Sequence, residues 1–164
     1  MTLTFKSILV ATDFTEPANV VVAYGRALAE AFHASLHVLH ILDDAALRGV
    51  VDEGYISPAP NVPREQAIER DSHDDLDHLF SESEPDNLRA HLAATTGDAV
   101  AGILRDAQEH DIDLIVMGTR GRDGILGTAA EEIVRKSPCP VLVVHHHQHD
   151  LANLGVKAVF SVSA

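Results

Sequence analysis

The stretch IDLIVMGTRGRDGILGTAAEEIVRK, residues 112–136, decides the fold. It opens with the apolar run Ile112 to Met117, of strand length, and closes on a helical segment from Thr128 to Lys136. Between them lie Gly118, Gly121, Gly124 and Gly127, so a buried strand passes into a helix through a glycine-rich turn. A strand that feeds a helix in this way is half of a βαβ unit.

The same alternation extends outward in both directions. Upstream, Ser7 to Ala11 (SILVA) reads as a strand, and Thr15 as the N-cap of a first helix with Glu16 and Pro17 in its first turn. The inner face of that helix is expected at Val20, Val21, Tyr24, Ala27, Leu28 and Ala31. Ser35 to Leu42 (SLHVLHIL) is a second strand, with His37 and His40 at opposite parity and therefore on opposite faces. Asp44 to about Pro63 is rich in Gly, Pro, Asp and Ala, an irregular excursion at the sheet edge. Arg64 to Ser81 has helical spacing, and Leu88 to Thr95 alternates as a third strand through Leu88, Ala90, Leu92 and Ala94. Gly97-Asp98 opens a helix with Val100, Ile103, Leu104 and Ala107 on one face. Downstream, Cys139 to Val144 is the last strand. Repeated βαβ units imply an α/β fold with a doubly wound parallel sheet and helices on both faces. The tail, residues 146–164, includes an alternating stretch through Val156, Ala158, Phe160 and Val162 that suits an extra edge strand, an expression scar or a disordered end.

Composition narrows the function classes. The 164 residues make one domain, and the formal net charge is −13. Such a chain repels phosphate backbones and anionic lipid at long range, so nucleic acid and membranes are excluded as expected partners. Aromatic residues are 4% of the chain with no Trp, which suits an aliphatic core and not a stacking platform for single strands. The single cysteine, Cys139, fits a reducing compartment, and the short apolar run before Asp13 fits neither a leader nor a membrane span. A cytoplasmic location is expected.

Ligands of open parallel sheets sit beyond the carboxyl ends of the strands, where the strand order reverses. The segments there are Thr12-Asp13-Phe14, Ile41 to Asp44 and Met117 to Gly127. The last is either a tight strand–helix connection or an anion cradle of backbone amides, completed by the amino end of the following helix and by Arg120 and Arg122. Thr128 with Glu131 matches a capping box, and its hydroxyl can serve a cap, a phosphate or both. Asp13 suits either a helix cap or a nucleoside hydroxyl or amino group, while Ile41 and Met117 are core residues by pattern. Neither GxxxxGK[ST] nor GxGxxG after the first strand occurs. Histidines 145, 146, 147 and 149 cluster, but a run in a tail offers adventitious affinity, and no metal site is expected there.

ILVATDFT, LHVLHILDD, DLIVMGTRGRDG and LGTAAEEIVRKSPCPVLVV together resemble the signatures of the universal stress protein family. The resemblance runs in order from Ser7 to Val144, so a single domain of that type is expected over residues 1–145. It implies a Rossmann-like, five-stranded parallel sheet of order 3-2-1-4-5. It also implies a homodimer joined along the last strand, Cys139 to Val144, that acts in stress responses through an unidentified protein partner. The nucleotide-binding members carry Gly-x2-Gly-x9-Gly-[Ser/Thr], which Gly118, Gly121, Gly127 and Thr128 match. The resemblance also sets Asp13 and the backbone near Ile41 against adenine, with Thr12 and Met117 lining the pocket.

One departure bears on the ligand: five residues separate Gly121 from Gly127 where the pattern has nine. Losing two charge-assisted amide contacts to phosphate costs about 3 kcal/mol, roughly a hundredfold in affinity. The expected cofactor is therefore an adenine nucleotide (ATP, ADP or AMP, with Mg2+ as a candidate companion), and the shortening favours AMP or ADP. The alternative is a dimeric interaction module of the same fold that binds no nucleotide. No catalytic nucleophile or metal carboxylate pair is legible, so an enzyme is not expected, beyond slow ATP hydrolysis at most.

Overall fold

The computed structural model describes residues 2–12, 16–42, 61–81, 90–119 and 127–144, with the backbone alone at 16–19, 64, 65 and 77–81. Strand and helix alternate: β1 (Ser7–Thr12), α1 (Glu16–Phe32), β2 (Ser35–Leu42), α2 (Arg64–Ser81), β3 (Ala90–Thr96), α3 (Ala99–Glu109), β4 (Leu114–Gly118), α4 (Thr128–Lys136) and β5 (Val141–Val144). The sheet has five strands in the order β3-β2-β1-β4-β5. Every neighbouring pair is parallel. The doubly wound α/β architecture expected from the sequence is the one observed.

Side-chain parity divides the core between the two faces. Ile8, Val10, Leu36, Val38, Leu114 and Val116 point to one side, where Val21, Val22, Leu28 and Ala29 of α1 and Leu76 of α2 cover them. Leu9, Leu39, Ile115 and Met117 point to the other, under Ile103 and Ala107 of α3 and Ala130 and Ile133 of α4. β1 and β4 are buried on both faces, as the continuous apolar runs require. β3 is only partly covered: Ala90, Leu92 and Ala94 face the first cluster and Ala93 the second, in the alternation read from the sequence.

Two local readings are corrected. Ala31 is exposed, while Val21 and Leu28 of the expected face are buried and Val20 and Tyr24 pack against the core, joined by Val22, Gly25 and Ala29. The reason is steric. A Cβ at Gly25 would overlap Val10 Cγ2, so the helix comes closest to the sheet at its glycine and its face is set by that contact. The last strand begins at Val141 and not at Cys139, because Ser137, Cys139 and Pro140 form the entry turn, in which Ser137 Oγ donates to the Cys139 carbonyl at 2.7 Å.

Both ends of the sheet are tied down by side chains. At the amino end, Asp113 accepts from the backbone N–H groups of Lys6 (2.7 Å) and Ser7 (3.1 Å). At the carboxyl end of β3, Glu69 of α2 accepts from the Thr96 amide (2.7 Å) and hydroxyl (2.8 Å). Gly97, at φ 131°, then turns the chain into α3, whose N-cap Asp98 accepts from Ala101 N–H at 2.7 Å.

Candidate functional site

The strand order reverses between β1 and β4, where one chain connection leads to β2 and the other to β5. The carboxyl ends of β1, β2 and β4 lie at or beside this reversal, and α4 follows the carboxyl end of β4. Val10 registers with Val116, so Thr12 and Gly118, each two residues further on, end the adjacent strands together. Thr12 registers with His40, and Ile41 follows on β2. Four of the expected site residues, Thr12, Ile41, Met117 and Gly118, are thus brought to one edge of the sheet. Asp13, Arg120, Gly121, Arg122 and Gly124 lie outside the described residues, as do Thr15, the irregular stretch 43–60, Leu88 and the tail 145–164.

These residues do not all face the same way. Thr12 belongs to the parity of Val10, toward α1, whereas Ile41 and Met117 belong to the face covered by α3 and α4. Met117 is buried among core neighbours, and Ile41 is partly exposed beside them. Thr12 is buried at 8% exposure, and its carbonyl accepts from His40 Nδ1 at 2.9 Å. His40 was not singled out from the sequence as part of this edge. Its parity, and its position opposite Thr12 once the strands are registered, are what reveal it.

Gly118 serves close packing. A Cβ there would lie 3.1 Å from Val21 Cγ2, so the end of β4 approaches α1 closely enough that a side chain would require Val21 to give by a few tenths of an ångström. The next amide, Thr119 N–H, donates to Val144 O at 3.3 Å and is spent on the sheet. That amide is therefore not available to an anion.

α4 supplies open amides. Its N-cap is Gly127, in extended conformation with no side-chain cap, and the first intrahelical bond runs from Glu131 N–H to Gly127 O at 2.9 Å. The N–H groups of Thr128, Ala129 and Ala130 precede that bond and point along the positive end of the helix dipole. This corrects the capping-box reading of Thr128. Glycine occupies the cap, and Thr128 becomes the first helical residue, exposed, with its hydroxyl not used as a cap. Arg135 and Lys136 in the last turn complement the opposite end of the dipole.

Cys139 is far from this edge, at the entry to β5. Burial raises its thiol pKa above the ordinary value, which leaves it a weak nucleophile at neutral pH. Among the described residues no helix is long and apolar enough to cross a membrane.

A parallel sheet with helices on both faces, and a helix amino end set at the strand-order reversal, defines the class of doubly wound, Rossmann-like domains. The universal stress protein family matches residues 4–145, and the chain belongs to that family. A universal stress protein of Thermus aquaticus is 32% identical over 155 residues, covering 85% of this chain and 98% of its own length. Among solved structures, a universal stress protein in complex with cAMP aligns at TM-score 0.58 and 21% identity, over 87% of this chain and 98% of its own. The universal stress protein of Archaeoglobus fulgidus in complex with dAMP aligns at TM-score 0.58 and 17% identity, over 86% of this chain and 98% of its own.

Proposed function

We propose that this universal stress protein binds an adenine nucleotide at the carboxyl edge of β1, β2 and β4, as a cytosolic regulatory protein and not as a catalyst. The observation that carries the reading is the amino end of α4, capped by a glycine without a side chain and set at the strand-order reversal. The three amides of that end take the α-phosphate. The family resemblance assigns adenine to Asp13 and the backbone near Ile41; Thr12 and Met117, buried on opposite faces of the sheet, support the strand ends beneath it.

The shortened glycine turn makes the preferred ligand a monophosphate. Two fold relatives, holding cAMP and dAMP, carry ligands with a single phosphate, which supports that preference. Arg120 and Arg122 add charge-assisted contacts where the longer turn of the family would supply amides. No Mg2+ is required for one phosphate held in this way.

The functional unit is a homodimer through β5. That strand is an edge, and Leu142 on it and Val134 on α4 are large apolar residues at 37% and 46% exposure. The bound nucleotide biases the surface that a protein partner reads.

Titration calorimetry of the full chain with AMP, ADP and ATP tests this reading. AMP binding at least as tight as ATP is expected. Absence of heat with all three at millimolar ligand favours the ligand-free interaction module, which the Thr119 amide spent on Val144 already makes a specific second reading.

A further inference from the structure

The opposite edge of the sheet gathers three histidines that the nucleotide site does not use. His37 and His91 are registered neighbours on β2 and β3, near the amino ends of both strands. They share the face covered by α3, and His110, the C-cap of that helix, completes the group. The three rings touch in a triangle, with centroids 5.3 Å apart for His37–His91, 5.1 Å for His37–His110 and 5.7 Å for His91–His110. One ring nitrogen from each lies within 4.8 Å of the other two.

We infer that His37, His91 and His110 form a site for a borderline divalent transition metal of the zinc type. Ordinary packing leaves the group poorly satisfied. His37 Nδ1 is buried with no hydrogen-bond partner, and its Nε2 reaches only Ser7 Oγ, at 3.5 Å. A buried ring nitrogen without a partner is costly, and a cation shared by three lone pairs removes that cost.

His110 is already oriented as a ligand. Its Nδ1 lies 3.1 Å from the Asp106 carbonyl and 3.2 Å from the Asp106 carboxylate, both acceptors, so Nδ1 is the donor and Nε2 is the nitrogen left to meet a metal. A carboxylate behind a ligating histidine is the usual support of an imidazole metal site.

The donor set selects the metal. Three imidazoles, with no thiolate or carboxylate in the group among the described residues, suit zinc, cobalt, nickel or copper, and not magnesium or calcium. A tetrahedral site with metal–nitrogen bonds of about 2.1 Å needs ligand nitrogens about 3.4 Å apart. With His110 held by Asp106, it is the exposed His91 ring that must turn inward to bring the group toward that size. Three protein ligands leave the fourth position to water or a small anion, on the solvent side where His91 is exposed. The acidic chain, at net charge −13, attracts a cation to this edge.

The test uses the full chain with His145, His146, His147 and His149 replaced by Ala, stripped with a chelator and titrated with ZnCl2, then with CoCl2. One equivalent of Zn2+ and intense tetrahedral Co2+ bands in the visible are expected. His91→Ala, an exposed position, must abolish both while circular dichroism stays unchanged. Asp106→Asn must weaken Zn2+ about ten- to hundredfold. In the unsubstituted triad, Zn2+ must move the imidazole nitrogen signals of His37, His91 and His110 together. No saturable binding, equal affinity in His91→Ala, or ring signals that stay in place would overturn the site. AMP titration of the same variant reads the nucleotide site separately, so each proposal fails or stands alone.

Discussion

The two edges of this sheet are built on different principles. The carboxyl edge gathers backbone: the ends of β1 and β4, a glycine packed against Val21, and the open amides that begin α4. The amino edge gathers side chains: three imidazoles from β2, β3 and the end of α3, backed by a carboxylate. The first suits an anion, because peptide dipoles and helix ends present N–H groups there. The second suits a cation, because imidazole ring nitrogens can present lone pairs. A parallel sheet with antiparallel helices produces this polarity by itself: helix amino ends lie at one edge and helix carboxyl ends at the other.

Substitutions that touch one edge at a time sharpen the comparison. The largest expected effect is at Thr128. As the first helical residue, beyond the cap, its hydroxyl is available to phosphate, and Thr128→Ala should cost AMP about 1.5–3 kcal/mol, roughly ten- to hundredfold by calorimetry. Urea midpoints should stay within about 0.5 kcal/mol of the parent. A stability loss of about 1 kcal/mol with AMP binding intact would restore Thr128 as the cap. Gly25→Ala should act on both edges together. It forces a methyl into Val10 in the core and should lower stability by about 1–3 kcal/mol in urea unfolding, with no preference for either ligand in the folded fraction.

Gly102→Ala is gentler and one-sided. Its Cβ would meet Ile41 Cδ1 at 2.5 Å, the free end of a flexible side chain beside the proposed adenine site. AMP affinity should fall a few-fold, stability by less than about 1.5 kcal/mol, and Zn2+ uptake not at all. Equal losses of AMP and Zn2+ would mean that the edges are coupled. The smallest effect concerns Cys139. Because burial raises its pKa, little thiolate is present at neutral pH. Alkylation should be slower than that of an unhindered thiol at pH 7 and should accelerate only as the pH climbs above the ordinary thiol range. Rapid reaction at pH 7 would contradict the environment described for the β5 entry.

Much of the fold was legible because periodicity and burial agree. β2, α2 and α4 have the bounds read from the sequence, since each has a clear apolar pattern and sharp punctuation. The face of α1 was less legible. Alanines at positions 23, 27, 29 and 31 blur its stripe, and the contact of Gly25 with Val10 that selects the face is a tertiary fact. The cap of α4 slipped by one residue because Gly127 and Thr128 are both good caps, and only the backbone conformation chooses between them.

Site residues followed the same division. The carboxyl edge was readable from strand ends and glycines, which are local signals. Strand parity already separated His37 from His40, and the structure keeps them apart, the one beside Ser7 and the other on the Thr12 carbonyl. The histidine triad was not readable, because it needs the β2–β3 register and the place where α3 ends. Attention to histidines close in sequence led instead to the tail.

The most direct test of the nucleotide site is an amide-resolved NMR titration of the full chain with AMP. Saturable shifts are expected at Thr12, Ile41, Gly118 and Gly127 through Ala130, with His37, His91 and His110 unmoved. Shifts confined to other surfaces, or none at millimolar AMP, would contradict it.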